Sequence, residues 1–332
     1  MTFPRHIIIG GAGFLGVELV KQLVAKSASV VAIDIDVHPG IAGFFDTHQV
    51  PFIKRDIATP KSLEDIPLGA ADIVHHLASK LIIPNEPRFS RFDHFARPSV
   101  DGTKHILAWM QAAGCSNLVF WSTDMVYGLP SSVPVTETVM PRPLGPYGRA
   151  KVIAEDLITK AVAATDLKAT VFRPRLIIGP GRLGILEKLF RLVRSGYPVP
   201  MIGSGKNIFQ FVSVEDCARA SIFAAEQGCP QGVFNLSSDN SPCVKDLLGR
   251  LIDHAGSRSR LLPVPAIAVK SALEILNLVK IAPMDQEQFR IADQNIVLST
   301  EKAKKTLGWH PEDNDSDMLI AAFEKYCRVT EN

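Results

Sequence analysis

The sequence predicts an α/β fold: a doubly wound parallel sheet with a smaller, mainly helical C-terminal portion that receives a substrate. Three observations predict it. Short apolar runs alternate with amphipathic segments through the first half, a glycine-rich turn follows the first run, and the rhythm changes after residue 174. With 332 residues, 46% of them hydrophobic and 21% charged, the chain can bury a large core.

The runs HIIIG at 6–10, VVAID at 30–34, ADIVHHLA at 71–78 and NLVFWST at 117–123 read as strands. Each is short and apolar, as strands covered on both faces must be. ATVFRP at 169–174 continues the series. GPGRLG at 179–184 is a turn, a basic amphipathic helix is expected near 185–195, and GYPVPMIGSGK, rich in Gly and Pro, opens the smaller portion. VSVEDCARASIFAAEQ at 212–227 has helical spacing with Ser213 placed to cap it, and GVFNLSS at 232–238 returns the chain to the sheet. The sheet domain is therefore assigned to 1–175 and 207–240, and the substrate portion to 176–206 and 241–330. The most hydrophobic long stretch, 262–282, is interrupted by Lys270, Glu274 and Lys280, too charged to span a bilayer. It is expected to be a mostly buried helix, with membrane contact or an apolar substrate wall as the alternative.

Composition narrows the function classes. Lys plus Arg number 36 against 34 Asp plus Glu, with no long basic run interleaved with aromatics, so a nucleic-acid partner is not expected. The five cysteines, Cys115, Cys217, Cys229, Cys243 and Cys327, are scattered without a CxxC pair, which fits a reducing compartment. MTFPRHIIIGGAGFLG runs into the glycine turn without a charged leader and cleavage site, so a cytoplasmic protein is expected, with no stable membrane insertion. His75 and His76 lack the further ligands a metal would need and are assigned to the sheet edge; no metal is expected.

In IIIGGAGFLGVELVKQL, Gly10, Gly11, Gly13 and Gly16 lie between a predicted strand and a predicted helix. Without side chains the turn tightens and its backbone can approach a pyrophosphate, held by the N–H groups and dipole of the helix. Asp34 ends the second strand, where a carboxylate accepts hydrogen bonds from both adenosine ribose hydroxyls. It would repel the extra phosphate of NADP, so NAD is the expected cofactor. Asp56 and Ile57, after the third strand, are placed to frame the adenine.

Tyr147 and Lys151 stand at i and i+4 on one helix face. A tyrosine hydroxyl can move a proton to or from an alcohol oxygen if its pKa, near 10 when free, is lowered. At ~4 Å and an effective dielectric of ~20 one positive charge interacts with a phenolate by about 4 kcal/mol before desolvation, enough for a shift of a couple of units. Lys151 and an oxidised nicotinamide both supply such charge. Thr123, at the carboxyl edge of the sheet, would polarise the substrate oxygen.

GGAGFLG, Asp34, HLAS at 76–79, DGTKHIL at 101–107, STDMVYG at 122–128, PYGRAK at 146–151, the RP at 173–174, GPG at 179–181 and KAKKTLGWHP at 302–311 together resemble the extended short-chain dehydrogenase/reductases. The resemblance covers nearly the whole chain. It implies a Rossmann domain holding NAD through Gly10, Gly13, Phe14, Leu15, Gly16, Asp34, Asp56, Ile57, Leu77, Ala78, Tyr147 and Lys151. It implies catalysis by Thr123, Tyr147 and Lys151 on a small molecule, and a homodimer through helices near 99–113 and 147–164.

The resemblance also has informative departures. In the nucleotide-sugar 4,6-dehydratases an acid pair follows the strand; here Asp124 is followed by Met125, which cannot take a carbon-bound proton, so elimination is disfavoured. Asp124 is left as either a catalytic acid or a hydrogen-bonding residue that closes the strand. The 4-epimerases carry an Asn where Leu176 stands and an Arg where Phe209 stands, both used to hold the nucleotide. Lys206, Arg182 or Arg290 would have to hold a diphosphate instead. The expected function is NAD-dependent hydride transfer at a secondary alcohol or ketone, by a nucleotide-sugar epimerase or ketoreductase. The alternatives are an oxidoreductase on a hydrophobic alcohol or ketone, like the 3β-hydroxysteroid dehydrogenases and dihydroflavonol reductases, and a noncatalytic NAD-binding protein.

Overall fold

The computed structural model describes residues 4–41, 43–80, 82–84, 86–87, 89–181 and 186–330. Strands β1 (His6–Ile9), β2 (Val30–Asp34), β3 (Phe52–Lys54), β4 (Ile73–His76), β5 (Asn117–Trp121) and β6 (Lys168–Pro174) follow the predicted apolar runs. The smaller strands β7 (Leu176–Ile178), β8 (Val199–Ile202) and β9 (Phe211–Ser213) precede β10 (Gly232–Leu236), and β11 (Leu261–Val264) comes last. Seven strands form one sheet in the order β10, β6, β5, β4, β1, β2, β3, and every pairing is parallel.

Alternation along each strand loads both faces of this sheet. Ile8, Val119, Trp121 and Phe172 enter one core, with α1 (Phe14–Ala25) and, later in the chain, the helix at Val214–Glu226. Ile7, Ile9, Leu118, Phe120 and Val171 enter the other. The short α2 (Phe44–Thr47) and α3 (Arg91–Ala96) lead to α4 (Gly102–Ala113) and α5 (Pro146–Ala164), which cover that second face. Burying each such side chain contributes about 1.5–3 kcal/mol, which is why parallel strands here read as uninterrupted apolar runs.

Beyond the sheet, α6 (Leu186–Arg194) precedes α7 (Val214–Glu226), and α8 (Val244–His254), α9 (Ala266–Leu278), α10 (Gln286–Phe289), α11 (Glu301–Leu307) and α12 (Asp315–Thr330) complete the chain. Ser213 caps α7 as expected, its hydroxyl accepting from the Asp216 N–H at 2.9 Å. A separate apolar cluster joins α6, α8 and α12 to β7, β8 and β9.

Three expectations are corrected. His75 and His76 are buried in β4, an inner strand between β1 and β5, and not at an edge: His75 faces His6 at 3.0 Å and His76 faces Thr103 at 3.0 Å. The segment around α11, assigned to the substrate portion, packs Ala303, Leu307 and Trp309 into the core of the main sheet. Trp309 Nε1 fixes it by donating to the Asp216 carbonyl at 2.8 Å. Finally, α9 is not a mostly buried helix: Leu273 is its one buried side chain. Its apolar residues outnumber those that α10 beneath it can cover. Among the described residues no helix is long and apolar enough to cross a membrane.

Candidate functional site

The residues singled out on the sheet all gather at its carboxyl edge. Gly10 follows β1, Asp34 ends β2, Asp56 and Ile57 follow β3, Leu77 and Ala78 follow β4, and Thr123 follows β5. Strand order reverses between β1 and its neighbours β2 and β4, opening the crevice in which such sheets hold ligands.

The glycine turn is shaped by close approach. Gly10 has φ +89°, and a Cβ there would lie 2.6 Å from the Ala78 nitrogen. A Cβ on Gly16 would stand 2.1 Å from the Gly10 carbonyl oxygen. The turn therefore lies flat against the residues after β4, and α1 starts tight upon it, with Leu15 and Gly16 buried. Gly13 caps α1 without a side chain, so the first N–H groups keep no side-chain acceptor of their own. The Asp34 carboxylate accepts from the N–H groups of Ala12 (3.0 Å) and Ile35 (2.7 Å), which ties the turn to β2. Burial pushes its pKa up against those two bonds. With about four lone-pair sites, the carboxylate keeps acceptor capacity for ribose hydroxyls. Asp56 accepts from the Ala58 N–H at 2.9 Å, and Ile57 is packed where a Cβ on Gly102 would come within 2.6 Å of it. A cradle that side chains would fill, an uncapped helix start and an acid with acceptor capacity left at the end of β2 together fit NAD.

The three candidate catalytic residues lie around the end of β5. Lys151 is buried in α5 and donates from Nζ to the Trp121 carbonyl at 2.8 Å, with the ammonium 5.0 Å from the Phe120 ring centroid. Burial pulls its pKa down to about 8, while Glu155, one helical turn on, works in the opposite direction. Tyr147 lies one turn before Lys151 and stacks edge-on against Phe95 at 5.4 Å. Thr123 Oγ1 accepts from the Met125 N–H at 3.2 Å, which holds the hydroxyl at the start of the turn after β5. Gly148 brings the two together: a Cβ there would lie 2.8 Å from the Met125 carbonyl, so α5 rests directly on that turn.

Around these residues the sequence left roles open. Asp124 is buried and pairs with Arg175 at 2.5 Å. The Arg175 guanidinium in turn lies 4.7 Å over the Phe209 ring. Leu176 opens β7, opposite Phe211. Met125 lines a small crevice with Asp124, Gly128, Leu144, Glu287, Ile291 and Ile296. Arg290 is engaged by Glu274 at 2.7 Å, Lys206 is exposed, and Arg182 lies outside the described residues.

Sequence reasoning missed two anchors. Glu287, on α10, accepts from the N–H groups of Tyr147 (2.8 Å) and Gly148 (3.0 Å) and so caps α5 from 140 residues away. It comes so close that a Cβ on Gly145 would sit 2.3 Å from its Cγ. Burial raises its pKa to about 7 in spite of the two donors. No local signal marks it. Glu155 is the second: it binds the Arg173 guanidinium through Nε (3.0 Å) and Nη2 (2.5 Å) and accepts from the Ser122 hydroxyl. An ionisable pair inside the apolar runs of α5 and β6 was its available sign.

Comparison with known proteins agrees with this geometry. A model of the NAD-dependent epimerase/dehydratase family matches residues 6–237. Human sterol-4-alpha-carboxylate 3-dehydrogenase, decarboxylating, is 26% identical over 98% of this chain and 90% of its own. UDP-glucose 4-epimerase of Azospirillum brasilense is 24% identical over 99% and 93%. The solved structure of MoeE5 in complex with UDP-glucose and NAD is 25% identical, covers 98% of this chain and 99% of that one, and superposes with a TM-score of 0.77. The chain belongs to the NAD-dependent epimerase/dehydratase family, as an NAD enzyme of the extended short-chain dehydrogenase/reductase type.

Proposed function

We propose that the protein moves hydride at a secondary alcohol or ketone carbon, with Tyr147 as the acid/base, Lys151 as its electrostatic partner and Thr123 as the group that polarises the substrate oxygen. The observation that carries this is the position of Lys151: a buried ammonium fixed to the last carbonyl of β5, two residues before Thr123, and one helical turn from Tyr147. NAD supplies the hydride acceptor or donor, held by the glycine turn, Asp34 and the residues after β3 and β4. In the oxidative direction the alcohol proton passes to the Tyr147 phenolate oxygen, which Lys151 keeps accessible as an anion. Replacing Tyr147 by Phe should abolish turnover and leave NAD binding intact; undiminished turnover would overturn the assignment.

The substrate class we infer is a predominantly apolar alcohol or ketone. Met125, Leu144, Ile291 and Ile296 line the crevice together with Asp124 and Glu287, whose carboxylates are already engaged, by Arg175 and by the N–H groups of Tyr147 and Gly148. A nucleotide-sugar epimerase is the second reading, favoured by the similarity to UDP-glucose 4-epimerase and to the UDP-glucose complex. Thermal shifts with NAD present, comparing polycyclic alcohols with UDP-, GDP- and dTDP-sugars, separate the two. Stabilisation by sugar nucleotides alone, with no net cofactor change in turnover, would refute the apolar class. The reading further includes a two-portion organisation, a homodimer through α4 and α5, and a cytoplasmic location. Sedimentation tests the dimer.

A further inference from the structure

Helix α9 is inside out. Its charged side chains turn toward the protein: Lys270 pairs with Asp293 and donates to the Arg290 carbonyl at 2.8 Å, and Glu274 accepts from Arg290 Nε at 2.7 Å and from Gln286 at 2.8 Å. Its outward face is apolar. Ile267 is 83% exposed and Leu278 79%, and Ile275, Val279, Ile281 and Leu262 continue the surface. Within 261–283 every exposed residue except Ser271 is apolar. Isolated exposed aliphatics are ordinary on a soluble surface, but a continuous one of this kind marks a contact.

Charge identifies what it contacts. The β8–β11 pairing, with Leu261 opposite Val199, and the bond from Lys188 to the Pro283 carbonyl at 2.9 Å bring 186–200 and 257–283 together. The exposed charged residues of these two segments are Lys188, Arg191, Arg194, Arg258 and Arg260 against Glu187 alone, whereas the whole chain has a surplus of only two positive charges. Tyr197, an amphipathic ring, is exposed among them. We propose that this face docks the protein on an anionic lipid surface. At 13 residues α9 is about 20 Å long, too short to span and suited to lie in the headgroup plane with its aliphatic side down. Two copies opposed through this face would bring their cations together, whereas anionic headgroups neutralise them. The inference holds for either substrate class.

The test is flotation of the full chain with vesicles of phosphatidylcholine alone or with about a quarter phosphatidylglycerol. Wild type should partition onto the anionic vesicles and be released by salt. I267D/L278D should abolish binding, and R258Q/R260Q should weaken it about thirtyfold, from about fivefold for each positive charge removed. All four positions are exposed and outside the site, so stabilisation by NAD serves as the control for folding. Failure to bind anionic vesicles at low salt would overturn the proposal. So would equal binding by I267D/L278D, or a dimer that this variant dissociates in the absence of vesicle binding, which would assign the face to a second copy. If a variant loses its NAD stabilisation, the lipid and salt dependence of wild type decides alone.

Discussion

Replacing Lys151 by Met should make the protein more stable while it stops turning over. Lys151 is 1% exposed, and Met fills nearly the same volume without charge. Burial lowers the lysine pKa from 10.5 to about 8. That drop corresponds to about 3 kcal/mol of cost at neutral pH. Loss of the ammonium's bond to the Trp121 carbonyl offsets about 2 kcal/mol, leaving a net gain of about 1 kcal/mol, or about 2 °C in Tm. The pH dependence carries the sign. A base whose pKa is depressed on folding binds fewer protons folded than unfolded between pH 8 and 10.5, so wild-type stability rises with pH across that window. Urea unfolding of both proteins at pH 7 and at about pH 9.5 should show the advantage of K151M shrinking by about 2 kcal/mol and reversing. A variant less stable than wild type at pH 7, or a difference that ignores pH, would refute the view that the active site holds its lysine at the expense of stability.

Glu287 should show the opposite slope. Its pKa is raised from 4.5 to about 7, so the folded state binds the extra proton and wild type should lose up to about 3 kcal/mol, relative to E287Q, as pH rises from about 4.5 to 7. Parallel stability profiles for the two proteins would show that the carboxyl is not buried as described. Gly16→Ala places a methyl 2.1 Å from a backbone oxygen and should destabilise by roughly 2–3 kcal/mol, with NAD stabilisation in thermal unfolding lost. Wild-type NAD stabilisation in G16A would mean that the turn relaxes freely.

The sequence by itself determined the layers and the carboxyl edge. Apolar runs of strand length could only be buried on both faces, and glycines between such a run and a helix could only form a tight turn. Those are local consequences of periodicity and backbone freedom, so Gly10, Asp34, Thr123, Tyr147 and Lys151 could be placed before any coordinate was known. Tertiary structure decided what depends on distant partners. Glu287 reaches Tyr147 across 140 residues, Arg175 pairs with Asp124 across 51, and neither pairing leaves a trace in local spacing. The same holds for α9. Its composition suggested burial, but burial requires a neighbour with matching area, and α10, of four residues, takes the helix by its charged side and leaves its aliphatic side to the surface.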